Sequence, residues 1–207
     1  AWSITFVLGS TLAPFFLGMF AANWLVGATS TITLLGIVVG LALVALTTAE
    51  GTGFLGMKTA EGLDDTTKRY GQIAQVAYLV LAVVTVGYLH VAVDGMAAKT
   101  MHPFVLGLVG LTAVLGIGYL YLLRTDHYRP AFIVSGIQLF GLVALVAVLL
   151  FPVIYPVTGL TVFEAAVSTL QLKMMTVVLA IFLPLVLLYF AVLYSSFAGP
   201  AEPAEGY

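Results

Sequence analysis

Few side chains in this chain could do chemistry, and their spacing limits what that chemistry could be. Three histidines, seven lysines and arginines and nine acids are spread over 207 residues, and there is no cysteine. His90 and Asp94 stand one helical turn apart, a spacing at which a carboxylate can orient an imidazole or exchange a proton with it. The pair suits a proton relay or the edge of a quinone site, and it equally suits a capped helix end. His102 precedes Pro103 at a helix start and His127 lies in a loop, so both read as interfacial. No His or Met pair has a spacing that would hold a haem at mid-depth. Serine–histidine–acid and His-x-x-x-His patterns are absent, which removes hydrolase and zinc readings. Without cysteine there is also no disulfide framework, thiolate metal site or thiol nucleophile.

Glu50 opens the run Glu50-Gly51-Thr52-Gly53. Its carboxylate could feed protons inward from a membrane surface, or it could be a solvated acid that closes a helix. The glycines are too loosely spaced for a phosphate loop, and no Lys-Ser/Thr follows them. Lys58 belongs to a stretch of mixed sign with Glu61, Asp64, Asp65, Lys68 and Arg69, the pattern of a wet loop. Glu50, Lys58, His90 and Asp94 are therefore the residues to test for a role in proton access or beside a quinone. Catalytic and metal-ligating residues are expected to be absent.

The elements that must position these groups are membrane helices. Only 8% of the residues are charged and 62% are hydrophobic, against about a quarter charged in a soluble domain. A charge at the bilayer centre costs a few kcal/mol, so long charge-free stretches read as lipid-embedded. The fold class predicted is all-α, a bundle of six spans near 4–26, 32–49, 72–93, 103–123, 131–151 and 174–193. They form one membrane domain over 1–198, followed by a flexible tail over 199–207. Gly27-Ala28-Thr29-Ser30 makes a tight link with a hydroxyl cap for the second helix. A short surface helix is expected over 160–170, with Thr161 and Glu164 as its capping box. Gly36 and Gly40 form a small-xxx-small motif, and Gly107, Gly110, Gly116 and Gly118 smooth another helix. Such faces suit close packing, inside the bundle or against another subunit. Asn23, Trp24, Tyr119 and Tyr121 read as an interfacial belt.

Basic residues orient the chain. Lys58, Lys68, Arg69, Arg124 and Arg129 fall in loops on the side of both termini, and only Lys99 and Lys173 fall opposite. That bias places both termini on the cytoplasmic side. A net charge of −2 with no large basic cluster argues against nucleic acid.

The segment 151–189 carries a resemblance. It reads Phe151-Pro152-x-Ile154-x-Pro156, then Leu160-Thr161-Val162-Phe163-Glu164-Ala165-Ala166, then Ser168-Thr169-Leu170-x-Leu172-Lys173-Met174-Met175. Ile181-Phe182-Leu183-Pro184 and Tyr189 follow. This resembles the end of subunit II of cytochrome bd-type quinol oxidases, and Leu55-Gly56-Met57-Lys58-Thr59 resembles a middle loop of that subunit. The resemblance implies a haem-free accessory subunit beside a subunit I that holds haem b and haem d, oxidises quinol and reduces oxygen to water. It also implies a structural quinone in some members. Subunit II ordinarily begins with two further helices, including a polar stretch linked to proton entry; a separate polypeptide supplying them is one expectation. A small transporter subunit or a structural assembly protein is the alternative reading.

Overall fold

The computed structural model describes residues 2–59 and 63–196; Glu61 and the expected tail over 199–207 lie outside them. Eight helices and a small hairpin follow one another: α1 (Trp2–Val26), α2 (Leu34–Lys58), α3 (Asp65–Ala92), α4 (Met96–Thr100), α5 (Pro103–Arg124), α6 (Tyr128–Leu150), β1 (Val153–Tyr155), β2 (Leu160–Thr161), α7 (Val162–Ala165) and α8 (Thr169–Ser196). Six of them, α1, α2, α3, α5, α6 and α8, are long and apolar enough to cross a bilayer. The all-α membrane architecture expected from the charge pattern is present.

Three spans run well past their expected limits. α3 begins at Asp65 instead of near 72 and α8 at Thr169 instead of near 174, because their polar first turns continue the helix past the apolar stretch. α2 runs to Lys58 instead of stopping near 49. Gly51 and Gly53 read as a turn in the sequence, but in the fold the helix runs through them, and Gly53 and Gly56 are contact points. A Cβ on Gly53 would come within 3.1 Å of the Phe132 backbone, and one on Gly56 would collide with the Tyr128 ring. Tertiary packing thus overrides the low helix propensity of glycine.

Local chemistry sets the remaining ends. Thr33 caps α2, its hydroxyl accepting from Gly36 N at 2.9 Å, so the cap is Thr33 and not the preceding Thr29 or Ser30. Gly27 turns the chain with a φ of +63°, a conformation open chiefly to glycine. Pro103 occupies the first turn of α5 behind His102, whose ring accepts from Phe104 N. The short surface helix is α7, only Val162–Ala165, and it has the Thr161–Glu164 capping box. The β1–β2 hairpin before it has no counterpart in the sequence expectation, because its strands of three and two residues are too short for periodicity to register.

α2, α3, α5 and α6 form a four-helix bundle, and α1 lies on α2. The core has three layers. Leu25, Leu35, Leu89, Met96, Val105 and Leu149 fill the hairpin end. Ala42, Leu46 and Tyr78 lie in the middle. Ala49, Ala74, Tyr119, Leu123 and Ala131 lie towards the end where Lys58 and Arg124 emerge, called here the basic end. Gly18 and Gly40 let α1 and α2 cross backbone to backbone, since a Cβ on Gly40 would sit 2.7 Å from the Phe15 carbonyl oxygen. Every described side chain of α8 is exposed, and the helix stands apart from the bundle.

Candidate functional site

The four candidate residues are not brought together. Glu50 and Lys58 belong to the half of α2 nearer the basic end, whereas His90 and Asp94 flank the far end of α3. Asp94 is exposed. His90 turns to α4, its Nδ1 lying 2.9 Å from the Thr100 hydroxyl oxygen. That hydroxyl donates to the Met96 and Ala97 carbonyls, each at 3.0 Å, and so links His90 to α4. Lys99 completes this end by donating to the Leu149 carbonyl at 2.7 Å, a cation on the C-terminus of α6. These contacts anchor α4 across the mouth of the bundle.

A second structural knot closes the basic end. Lys68 pairs with Asp126, and the Tyr128 hydroxyl donates to the same carboxylate. That hydroxyl also accepts from Leu63 N at 3.2 Å, so one tyrosine joins the α2–α3 and α5–α6 connections. The Lys68 ammonium and then the Tyr128 hydroxyl hold the Asp126 carboxyl below its ordinary range. Five of the seven cations, Lys58, Lys68, Arg69, Arg124 and Arg129, gather at or near this end.

Glu50 occupies neither knot. With α2 continuing to Lys58, it lies eight residues inside a span, about 12 Å from the helix end at 1.5 Å per residue, and does not close the helix as the sequence suggested. Its carboxylate is half-buried, its Oε1 3.8 Å from where a Cβ on Gly136 would be. Among the described residues it has no hydrogen-bond or ion-pair partner. Lys58, by contrast, holds its Nζ 6.0 Å from the centre of the Phe54 ring.

The most buried polar groups are ones that the search for charge and histidine passed over. Gln75 of α3 and Gln138 of α6 are 0% and 1% exposed. Gln75 Nε2 donates to Gln138 Oε1 at 3.2 Å, and Gln138 Nε2 donates to the Thr112 carbonyl at 3.1 Å. This chain has one direction only. The Thr112 carbonyl requires an N–H, which turns Gln138 Oε1 towards Gln75 and Gln75 Nε2 towards it. Among the described residues Gln75 Oε1 is then left buried without a partner, a deficit of about 1–3 kcal/mol. Gly116 makes room for the pair, since a Cβ there would come 2.8 Å from Gln75 Nε2. One level nearer the basic end the Tyr119 hydroxyl, fully buried, donates to the Ala49 carbonyl. Tyr119 is therefore a core residue and not part of an interfacial belt, while Tyr121, 67% exposed, does face outward. The signal for Gln75 and Gln138 was in the sequence, as amides set among apolar residues of their spans.

At the hairpin end, the Trp24 indole donates to the Ile154 carbonyl at 2.7 Å and packs edge-on against Tyr155. Asn23 donates to the Thr31 carbonyl at 2.7 Å and accepts from the Thr33 hydroxyl. These contacts tie α1 to the hairpin and to the start of α2. The described residues contain no group of three or more His, Cys, Asp or Glu side chains placed to hold a metal ion. Of the small-residue motifs, Gly36 and Gly40 pack against α1, whereas Gly107, Gly110 and Gly118 have nothing within 4 Å of a built Cβ.

A family model described as cytochrome bd terminal oxidase subunit II matches residues 1–197. No curated protein matches the chain.

Proposed function

The chain belongs to the cytochrome bd terminal oxidase subunit II family, and from that premise we propose that it is the haem-free, non-catalytic partner of a haem-bearing subunit I. Membership makes it part of an oxidoreductase complex in a membrane. The finer reading is that quinol oxidation and oxygen reduction occur on the partner, which carries haem b and haem d. This chain would then scaffold the partner and keep lipid and water from it.

One observation carries the division of labour: all three histidines serve helix ends. His90 holds Thr100, His102 caps α5, and His127 lies at the start of α6 with its Nδ1 3.0 Å from the Thr125 hydroxyl. The bundle interior offers amides and a phenol at mid-depth, groups suited to fixing helix register and not to ligating iron. The reading includes a prokaryotic plasma membrane with the basic end cytoplasmic, following the cation bias. It leaves room for a structural quinone and for a further polypeptide beside this chain.

Purification of the tagged chain from its own membranes in mild detergent tests the proposal. Haem absorbance and quinol-dependent oxygen consumption should accompany it. A chain that emerges intact, haem-free and alone from active membranes would overturn the reading.

A further inference from the structure

α2 carries one continuous face that changes environment halfway along. Its first part, at Gly36 and Gly40, is covered by α1, where the two backbones touch at the Gly18–Gly40 crossing. The same stripe continues through Val44, Thr47, Gly51 and Phe54, at the alternating three- and four-residue steps of a helix face. Here α1 no longer covers it: residues 4–13 of α1 are all exposed, and so are Gly51 and Phe54. Gly51 has nothing within 4 Å of a built Cβ, and Phe54, 45% exposed, meets the Phe132 ring at 5.8 Å and the Lys58 ammonium at 6.0 Å.

Glu50 lies at the edge of this uncovered stretch, against the bare flank of Gly136. α2 has 25 residues and is about 37 Å long, longer than the roughly 30 Å hydrocarbon layer. A residue about 12 Å from the end of such a helix is inside the hydrocarbon. An ionised carboxylate at that depth is costly unless it is paired, and acids within spans accordingly face a partner or a polar cavity. No described side chain of this chain pairs with Glu50. The deficit is electrostatic and has a sign.

We propose that the exposed face around Glu50, Gly51 and Phe54 docks a transmembrane helix of the haem-bearing subunit, and that this helix presents a lysine, arginine or histidine to the Glu50 carboxylate. The inference rests on the reading of the chain as subunit II and adds where the contact is and what chemistry recognises it. The open space at Gly51 allows close approach of the incoming helix. The carboxylate then sets its register and excludes helices without a cation at that level.

The test uses the whole complex in native membranes. In the variant Phe54→p-benzoylphenylalanine the photoprobe replaces a ring of similar shape, and Tyr121→p-benzoylphenylalanine places the same probe on the exposed side of α5 as a control. Illumination should attach the haem-bearing subunit to position 54 and not to position 121. In parallel, Glu50→Leu should shed about tenfold more of the partner during detergent washing than the native chain, with Glu50→Gln in between, as expected when one member of a desolvated charge pair is lost. If haem co-purifies but position 54 captures only lipid or a second copy of this chain, and Glu50→Leu retains its partner, the docking site is wrong while the subunit assignment stands. If no haem co-purifies at all, the assignment itself fails and the docking site with it.

Discussion

α2 and α8 are both long apolar helices, of 25 and 28 residues, and they have opposite fates. α2 is at the centre of the protein, gripped by α1, α3 and α6. Every described side chain of α8 is exposed. Apolar content does not separate them, because lipid tails are as apolar as leucine and give helices no hydrophobic reason to associate. Small residues do. Gly36, Gly40, Gly53, Gly56, Ala42 and Ala49 line the buried sides of α2, letting backbones approach until dispersion and hydrogen bonds count. α8 presents Leu, Val, Ile and Phe in nearly every direction and contains no glycine. Apolar content tells a helix that it lives in the membrane, and small residues tell it which neighbour to touch.

The sharpest way to break that comparison is to remove the same atoms from each helix. Leu46 is fully buried against Tyr78, Leu79 and Leu142, whereas Leu185 of α8 is 59% exposed. Leu46→Ala should cost about 2–5 kcal/mol, the usual result of deleting a packed leucine. Leu185→Ala should stay within about 0.5 kcal/mol for the isolated chain. Unfolding by SDS titration in bicelles reads both. Equal losses would mean that α8 packs against the bundle and that the contrast drawn here is false.

A second variant sharpens the contrast inside the bundle. Gln138→Leu removes the acceptor for Gln75 and the donor for the Thr112 carbonyl, leaving the buried Gln75 amide without these bonds. The expected loss is about 1–3 kcal/mol. Substituting Gln75→Leu as well should recover much of it, because two apolar side chains leave no stranded amide. Additive losses in the double variant would show that the pair does not act as a unit. The same titration decides it.

What the sequence disclosed follows the same division. Six spans and their all-α class were legible because charge is expelled from hydrocarbon so strongly that its absence marks each helix. The end of α2 was not legible at Gly53 and Gly56, where local propensity says turn and packing against Phe132 and Tyr128 says helix. Glu50 thereby moved from a helix terminus to the interior of a span. His90 and Asp94 were read as one helical turn apart, but α3 ends at Ala92, and spacing could not reveal Thr100, ten residues on, as the imidazole's partner. Gln75 and Gln138 were missed because neutral amides do not disturb a charge map, although burial makes them the groups with most at stake. Tyr119 was misplaced for a related reason: nothing local distinguishes a belt tyrosine from one whose hydroxyl meets a carbonyl on another helix, 70 residues earlier.

The smallest effect expected lies outside both helices, where water weakens every interaction, and it measures how little of the stability resides there. Asp126 joins the α5–α6 connection to α3 through Lys68, and its carboxyl is held below the ordinary range by the Lys68 ammonium and the Tyr128 hydroxyl. A carboxyl whose folded pKa is lowered stabilises the fold above its unfolded value, near about 4, and that contribution is lost as pH falls through the folded value. Asp126→Asn should therefore be slightly less stable than the native chain near neutral pH, with the gap closing in acid below about pH 4. Asparagine tolerates the positive φ of 60° at this position, so the variant changes charge without straining the turn. Asp64 and Glu164, also lowered, by bonds to Thr67 and Thr161, remain in both proteins and cancel in the difference. A gap that instead widened in acid would place the knot's strength in something other than the Lys68–Asp126 pair. A gap as large as that of Leu46→Ala would move the centre of stability from the glycine-lined bundle to its rim.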